Sequence, residues 1–192
     1  MATTIVLVRH GETDWNRERR FQGHADRPLN GAGRAQSRDL AERLVAERVT
    51  ALYTSPLRRA AETANIVGER LGLPVRTSEP MREIDVGSWE GLTIDEVRAR
   101  FPEVTKLAWS SGWNGGETYD ELDARVVAAL LALAVTHDGE HVAVVTHGGP
   151  IRSAIAASHG LSFEDARPLF EPLVNCAIVR LTVEGDTVQR RD

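Results

Sequence analysis

Ile5, Val6, Leu7 and Val8 form an unbroken apolar run that stops at Arg9, His10 and Gly11. A strand buried on both faces reads this way, continuous rather than alternating. Residues 51–54 and 142–145 repeat the pattern, and helical stretches lie at about 33–47, 57–71, 119–135 and 150–159. Strands alternating with helices predict a largely parallel sheet covered on both sides. Residues 177–183 alternate more strongly, and Glu184, Gly185 and Asp186 then predict a turn into a short strand, an edge hairpin.

Two local signals refine this outline. Ser55-Pro56 predicts a helix start in which the serine caps free amides and the proline fits the first turn, which puts Arg58 in that turn. Residues 84–116 are less regular and hold Trp89, Trp109 and Trp113, so they are expected to form an insertion over the sheet's active edge. No linker composition or repeat divides the chain. The expected architecture is a three-layer α/β/α sandwich with a mostly parallel sheet, one antiparallel edge strand and a small helical insertion over the active site. Residues 1–192 are expected to form a single domain.

Composition narrows the function. The chain has 192 residues, is 42% hydrophobic and carries a formal net charge of −5, which supports a real core and argues against general nucleic-acid affinity. Any anion site must therefore be local. A single cysteine, Cys176, excludes an intramolecular disulfide and a cysteine-rich zinc site, and it reads as a small buried apolar residue. The N-terminus shows no basic segment followed by a long apolar run, and no apolar run is long enough to span a bilayer. A cytoplasmic protein without membrane or nucleic-acid partners is expected, with a homodimer left open.

In an open parallel sheet, ligands bind beyond the C-terminal ends of the strands. Three predicted strands deliver polar groups to that rim: Arg9 and His10, Ser55 with Arg58, and Thr146 with His147. Two arginines and two histidines at one edge of an acidic protein suit a phosphate dianion. Phosphoryl transfer needs an in-line nucleophile, cations on the equatorial oxygens and a proton for the leaving oxygen. Neutral imidazole supplies the first and guanidinium the second. Gly11, Gly148 and Gly149 follow the histidines and would allow close backbone approach with free amide donors. Any one of these residues alone would be read as structural; their shared edge is what points to chemistry.

The segment Leu7-Val8-Arg9-His10-Gly11-Glu12-Thr13-Asp14-Trp15-Asn16 resembles the signature of the histidine phosphatase superfamily, in its phosphoglycerate mutase-like branch. The resemblance continues through Phe21-Gln22-Gly23, Asp26-Arg27-Pro28-Leu29-Asn30, Ser55-Pro56-Leu57-Arg58-Arg59-Ala60, Arg82 to Gly91, Gly115-Gly116-Glu117-Thr118 and Thr146 to Arg152. It implies that His10 forms a phosphohistidine while Arg9, Arg58 and His147 grip the phosphoryl group. It further implies neutral donors from Asn16 and Gln22, a backbone contribution from Gly148, and Glu83 as the proton donor that later activates water. Glu117 is expected to be structural, capping the helix that begins near Tyr119, and Asn175 to be a turn residue. Trp89, Trp109, Trp113 and Tyr119 are candidates for lining a substrate pocket, with core packing the competing account.

Other readings are weaker. Asn30-Gly31-Ala32-Gly33 follows Pro28-Leu29 rather than a strand, so it predicts a helix start and not a dinucleotide loop. There is no Walker motif, and the histidines lack zinc-ligand spacing, so no metal or cofactor is expected. A cofactor-dependent phosphoglycerate mutase would use the same residues. The short chain, Gly149 where mutases carry asparagine, and Trp89-Glu90-Gly91 all favour a phosphatase acting on a small phosphorylated metabolite. The third reading is a non-catalytic phospho-ligand binding protein.

Overall fold

A computed structural model describes residues 1–102 and 115–191. Six strands form one sheet: β1 (Thr3–Arg9), β2 (Ala51–Thr54), β3 (Val75–Thr77), β4 (His141–Thr146), β5 (Ile178–Glu184) and β6 (Thr187–Arg191). Their order is β3-β2-β4-β1-β5-β6. The first four run parallel, β5 pairs antiparallel with β1, and β6 pairs antiparallel with β5. The antiparallel edge is the hairpin expected after residue 177, two strands where the expected architecture counted one, and the three-residue β3 is an element too short to announce itself in the sequence.

The apolar run predicted as β1 lies at the centre of the sheet, and Ile5 to Val8 are fully buried. Alternation then assigns its side chains to two cores. Ile5 and Leu7 face α5 (Tyr119–Thr136) and α6 (Gly148–Ser158) through Leu122, Val126, Leu130 and Ile151. Val6 and Val8 face α2 (Gly31–Val45) and α3 (Arg58–Leu71) through Leu40, Leu44, Ala64 and Val67. This is the expected three-layer sandwich. Shorter helices are α1 (Asp14–Arg17), α4 (Ile94–Arg100) and α7 (Phe163–Ala166).

Two helix starts differ from expectation. The Ser55 hydroxyl accepts only the Leu57 amide, at 3.3 Å, and α3 begins at Arg58 with Asp26 Oδ1 accepting the Arg58 N–H at 2.7 Å. Thr118, not Glu117, caps α5, in a capping box with Glu121. Within the insertion, a 3₁₀ turn (Gly87–Trp89) and α4 are described, while Trp109 and Trp113 lie outside the described residues. Among the described residues no helix is long and apolar enough to cross a membrane.

Candidate active site

Strand register builds the floor of the site. Arg9 of β1 pairs with Thr146 of β4, and the His10 amide donates to the Thr146 carbonyl at 3.0 Å, so the next residue on each strand, His10 and His147, emerge side by side. Their ring centroids are 5.1 Å apart. Ser55 leaves β2 on the other flank of β4, its amide bonded to the Val145 carbonyl at 2.9 Å.

Hydrogen bonds fix both tautomers. His10 Nδ1 lies 2.7 Å from the Gly11 carbonyl, which can only accept, so Nδ1 carries the proton and Nε2 keeps its lone pair. His147 Nε2 lies 2.7 Å from Ser55 Oγ and is the only acceptor within reach of that fully buried hydroxyl's hydrogen among the described residues. Ser55 therefore donates to Nε2, and Nδ1 bears the hydrogen of His147. Among the described residues that buried Nδ1 has no hydrogen-bond partner. Burial, reinforced by Arg59 and Arg9, holds the His10 pKa well below its ordinary value, and the same causes act on His147. Both rings are neutral at neutral pH.

The arginines correct one expectation. Arg58 is an exposed residue whose Nε pairs with Glu62 at 2.7 Å, i to i+4 along the outer face of α3. Arg59 is fully buried and lines the pocket, with Nη1 and Nη2 on the Ala25 and Gly23 carbonyls at 2.8 Å. The helical phase explains the difference: Arg59, Thr63 and Val67 share the inward stripe, and Arg58 and Glu62 the outward one. That signal was present in the sequence, because Ala60, Ala64 and Val67 mark which face is buried. Burial lowers the Arg59 pKa to about 10 against the opposing pull of Glu83 and Asp26. The Arg9 guanidinium is anchored on the Leu173 carbonyl. The Nε atoms of Arg9 and Arg59 are buried without a hydrogen-bond partner among the described residues.

Glu83 reaches the pocket from the start of the insertion. Its Oε1 accepts the amides of Ile84 and Gly149, both at 2.9 Å. A Cβ on Gly149 would overlap that same oxygen, so the glycine is needed for the carboxylate to sit there. The Glu83 carbonyl is held by His24 Nε2 at 2.8 Å and by Arg125 at 3.1 Å. Arg125 also binds the Arg82 carbonyl at 2.9 Å and pairs with Glu117. Glu117 thus locks the clamp beneath Glu83 instead of capping α5.

The remaining expected residues surround the histidines. Asn16, Gln22 and Gly148 line the pocket. Asn16 Oδ1 accepts from Thr13 and Asn175, and Gln22 Oε1 accepts from Thr13 Oγ1 at 3.0 Å, so each is oriented through its carbonyl and keeps its NH₂ group as a donor. Asn175 is more than a turn residue: its amide donates to the His10 carbonyl at 3.0 Å. The Gly11 amide is not a free donor, since it binds Thr63 Oγ1 at 3.0 Å, and a Cβ at Gly11 would meet the Gly33 carbonyl of α2 at 2.5 Å. The pocket has a volume of about 410 Å³, and its apolar wall includes Phe21, Tyr119, Phe163 and Phe170. Tyr119 stacks on Phe163 with centroids 4.3 Å apart, whereas Trp89 is core, packed on Phe21 at 5.4 Å.

A neutral histidine with a free nitrogen, a second buried histidine, two inward arginines and one carboxylate on a parallel-sheet rim define a phosphoryl-transfer site. Residues 5–191 match the histidine phosphatase superfamily (branch 1), and the chain belongs to that family. It is 44% identical to "Phosphoglycerate mutase-like protein 4" of Arabidopsis thaliana over 85% of this chain and 71% of the relative. It is 42% identical to the "Metal-independent phosphoserine phosphatase" of the same plant over 79% of this chain and 66% of the relative. Among solved structures, the mycobacterial glucosyl-3-phosphoglycerate phosphatase superposes with a TM-score of 0.88 at 31% identity, covering 98% of this chain and 96% of that one.

Proposed function

We propose that this histidine phosphatase hydrolyses small phosphomonoesters in two steps through a phosphohistidine on His10. The observation that carries the reading is the free Nε2 of a neutral His10 beside the unpartnered N–H of His147 and the inward arginines. In the first step Nε2 attacks phosphorus and the ester P–O bond breaks. The imidazole gains positive character, which the Gly11 carbonyl on Nδ1–H stabilises. Arg9, Arg59 and His147 Nδ1–H bind the equatorial oxygens, with Asn16 and Gln22 as neutral donors. Glu83, held at Gly149, gives its proton to the leaving alkoxide.

In the second step water attacks the phosphohistidine, Glu83 takes the water's proton, the P–N bond breaks, and neutral His10 is restored as phosphate leaves. No step needs a metal. Glu83 serves as acid and then as base, which its position at the mouth of the phosphoryl site favours. The reading treats the chain as one domain working on a small metabolite in the cytoplasm.

The test is a phosphomonoester panel run with chelator on wild type and His10→Ala, including 3-phosphoglycerate with and without 2,3-bisphosphoglycerate. Wild type should release phosphate and yield an acid-labile phosphoenzyme, and the variant should lose roughly a thousandfold or more in kcat. Activity surviving in His10→Ala would overturn the mechanism. Interconversion of phosphoglycerates with little phosphate release would make the protein a mutase. Tight phosphate binding without turnover would make it a binder.

A further inference from the structure

The segment that carries Glu83 has no ladder of its own. Residues 82–86 lie between two 3₁₀ turns, Glu79–Met81 and Gly87–Trp89, in neither helix nor strand. A partly buried chain in that state must find partners for its carbonyls elsewhere. Four consecutive carbonyls find them on side chains. The Met81 carbonyl accepts from Thr146 Oγ1 at 2.6 Å, and those of Pro80, Arg82 and Glu83 all accept from Arg125.

A guanidinium has five N–H donors, and Arg125 commits every one. Nη1 holds the Pro80 and Arg82 carbonyls, Nη2 holds the Glu83 carbonyl at 3.1 Å and Glu117 Oε2 at 2.8 Å, and Nε donates to Glu117 Oε1. Glu117 thus fixes the plane of the fork. Its own place is set by its amide, which donates to the Asp85 carbonyl at 2.9 Å. That approach requires Gly116, where a Cβ would stand 2.2 Å from the same carbonyl. The Arg125 and Glu117 side chains are only 23% and 14% exposed, so the pair is largely shielded from water. Arg125 stands on α5 between Leu122 and Val126, both fully buried in the core that contains Ile5 and Leu7. The fork therefore ties an irregular segment to a helix packed on the sheet.

Glu83 is held at both ends, its carboxylate by the Ile84 and Gly149 amides and its carbonyl by Arg125 and His24. We infer that Arg125, oriented by Glu117, is a positioning residue for the proton donor. By fixing the Arg82 and Glu83 carbonyls it sets where the Glu83 carboxyl meets the leaving oxygen. A misplacement of about 1 Å at such a group can cost on the order of 100-fold in rate. Lysine, a point charge with three donors, cannot hold three carbonyls and a bidentate carboxylate together. The inference rests on the phosphatase reading, to which the acid role of Glu83 belongs.

The experiment compares kcat/KM on glycerol 3-phosphate, whose alkoxide must be protonated, with kcat/KM on p-nitrophenyl phosphate, whose leaving group needs little help. Measured on one preparation, the ratio does not depend on the fraction of folded protein. Arg125→Lys and Glu117→Gln carry the test if Arg125→Ala fails to fold. Arg125→Lys should lower the alkyl-to-aryl ratio by roughly three- to tenfold, Arg125→Ala at least as far, and Glu117→Gln by less. In a Glu83→Gln background, Arg125→Lys should change the ratio no further, the non-additivity of residues that act through one group. Equal losses on both substrates in the Arg125 and Glu117 variants, or an undiminished further drop in the Glu83→Gln background, would overturn the inference and leave the phosphatase reading in place. A Glu83→Gln ratio equal to that of wild type would instead remove the acid from that reading, and the role of the clamp with it.

Discussion

The floor of the pocket and its mouth are built from different kinds of structure. At the floor, Arg9 ends β1, and His10, Ser55 and His147 follow directly on strands whose register is fixed by six paired positions between β1 and β4 and four between β2 and β4. At the mouth, Glu83, Arg152, Phe163 and Phe170 come from loops and helices joined by side chains. Asp123 illustrates this, accepting from Ser153 Oγ at 2.5 Å and from the Phe163 amide at 2.7 Å. The floor is a rigid, desolvated cradle suited to one invariant group, the phosphoryl. The mouth is assembled from parts that can change without disturbing the sheet, which suits recognition of a leaving group that differs between relatives.

The largest effect that would break this contrast is at α3. Arg59→Ala removes a buried guanidinium that lines the pocket and, on the proposed mechanism, should cost roughly 100- to 1,000-fold in kcat on every phosphomonoester. Arg58→Ala, which loses only an exposed pair with Glu62, should stay within about threefold. Steady-state kinetics on p-nitrophenyl phosphate decide between them. A large loss at Arg58 with little at Arg59 would return the grip to the outward arginine and contradict the helical phase.

The same contrast explains how much could be read before the fold was known. Strand ends were legible because an apolar run of four names its own terminus, and His10, His147, Arg9 and Ser55 follow directly. Arg59 was legible in principle, since the stripe Ala60, Ala64 and Val67 fixes the inner face, yet a helix start alone does not choose between neighbouring arginines. Glu83 carried no local signal, because it sits between elements and is placed by Gly149, His24 and Arg125 from three distant segments. Arg152 and Phe170 meet only through tertiary packing, and so does the reach of Asn175 to the His10 carbonyl.

An intermediate effect tests the junction between floor and mouth. Glu83→Gln keeps the shape but removes the transferable proton, so it should slow alkyl phosphates about tenfold or more beyond any loss on p-nitrophenyl phosphate, whose leaving group needs little protonation. Gly149→Ala should move the carboxylate by steric overlap and give the same selective pattern more weakly, with kcat falling more than KM rises. Equal losses on aryl and alkyl esters in Glu83→Gln would remove Glu83 from the acid role. A selective pattern in only the glutamine variant would mean that Glu83 tolerates displacement.

The smallest effect is on stability, and it comes from the floor. His10 and His147 are buried as neutral rings, with pKa values held well below 6.5 chiefly by burial, next by Arg59. The unfolded chain, with ordinary imidazoles, therefore binds protons that the folded chain refuses. Their contribution is complete above pH 6.5 and is lost as pH falls below it, at a rate of at most about 1.4 kcal/mol per pH unit for each ring. Urea midpoints of wild type should drop between pH 7 and pH 5, above the range in which carboxylates titrate, and His10→Gln should show a shallower drop. A flat profile in wild type, or an undiminished slope in the variant, would mean that the histidines accept protons in the folded state. The free lone pair on Nε2 would then be unavailable below neutrality, and the floor would be a weaker nucleophile than its geometry provides.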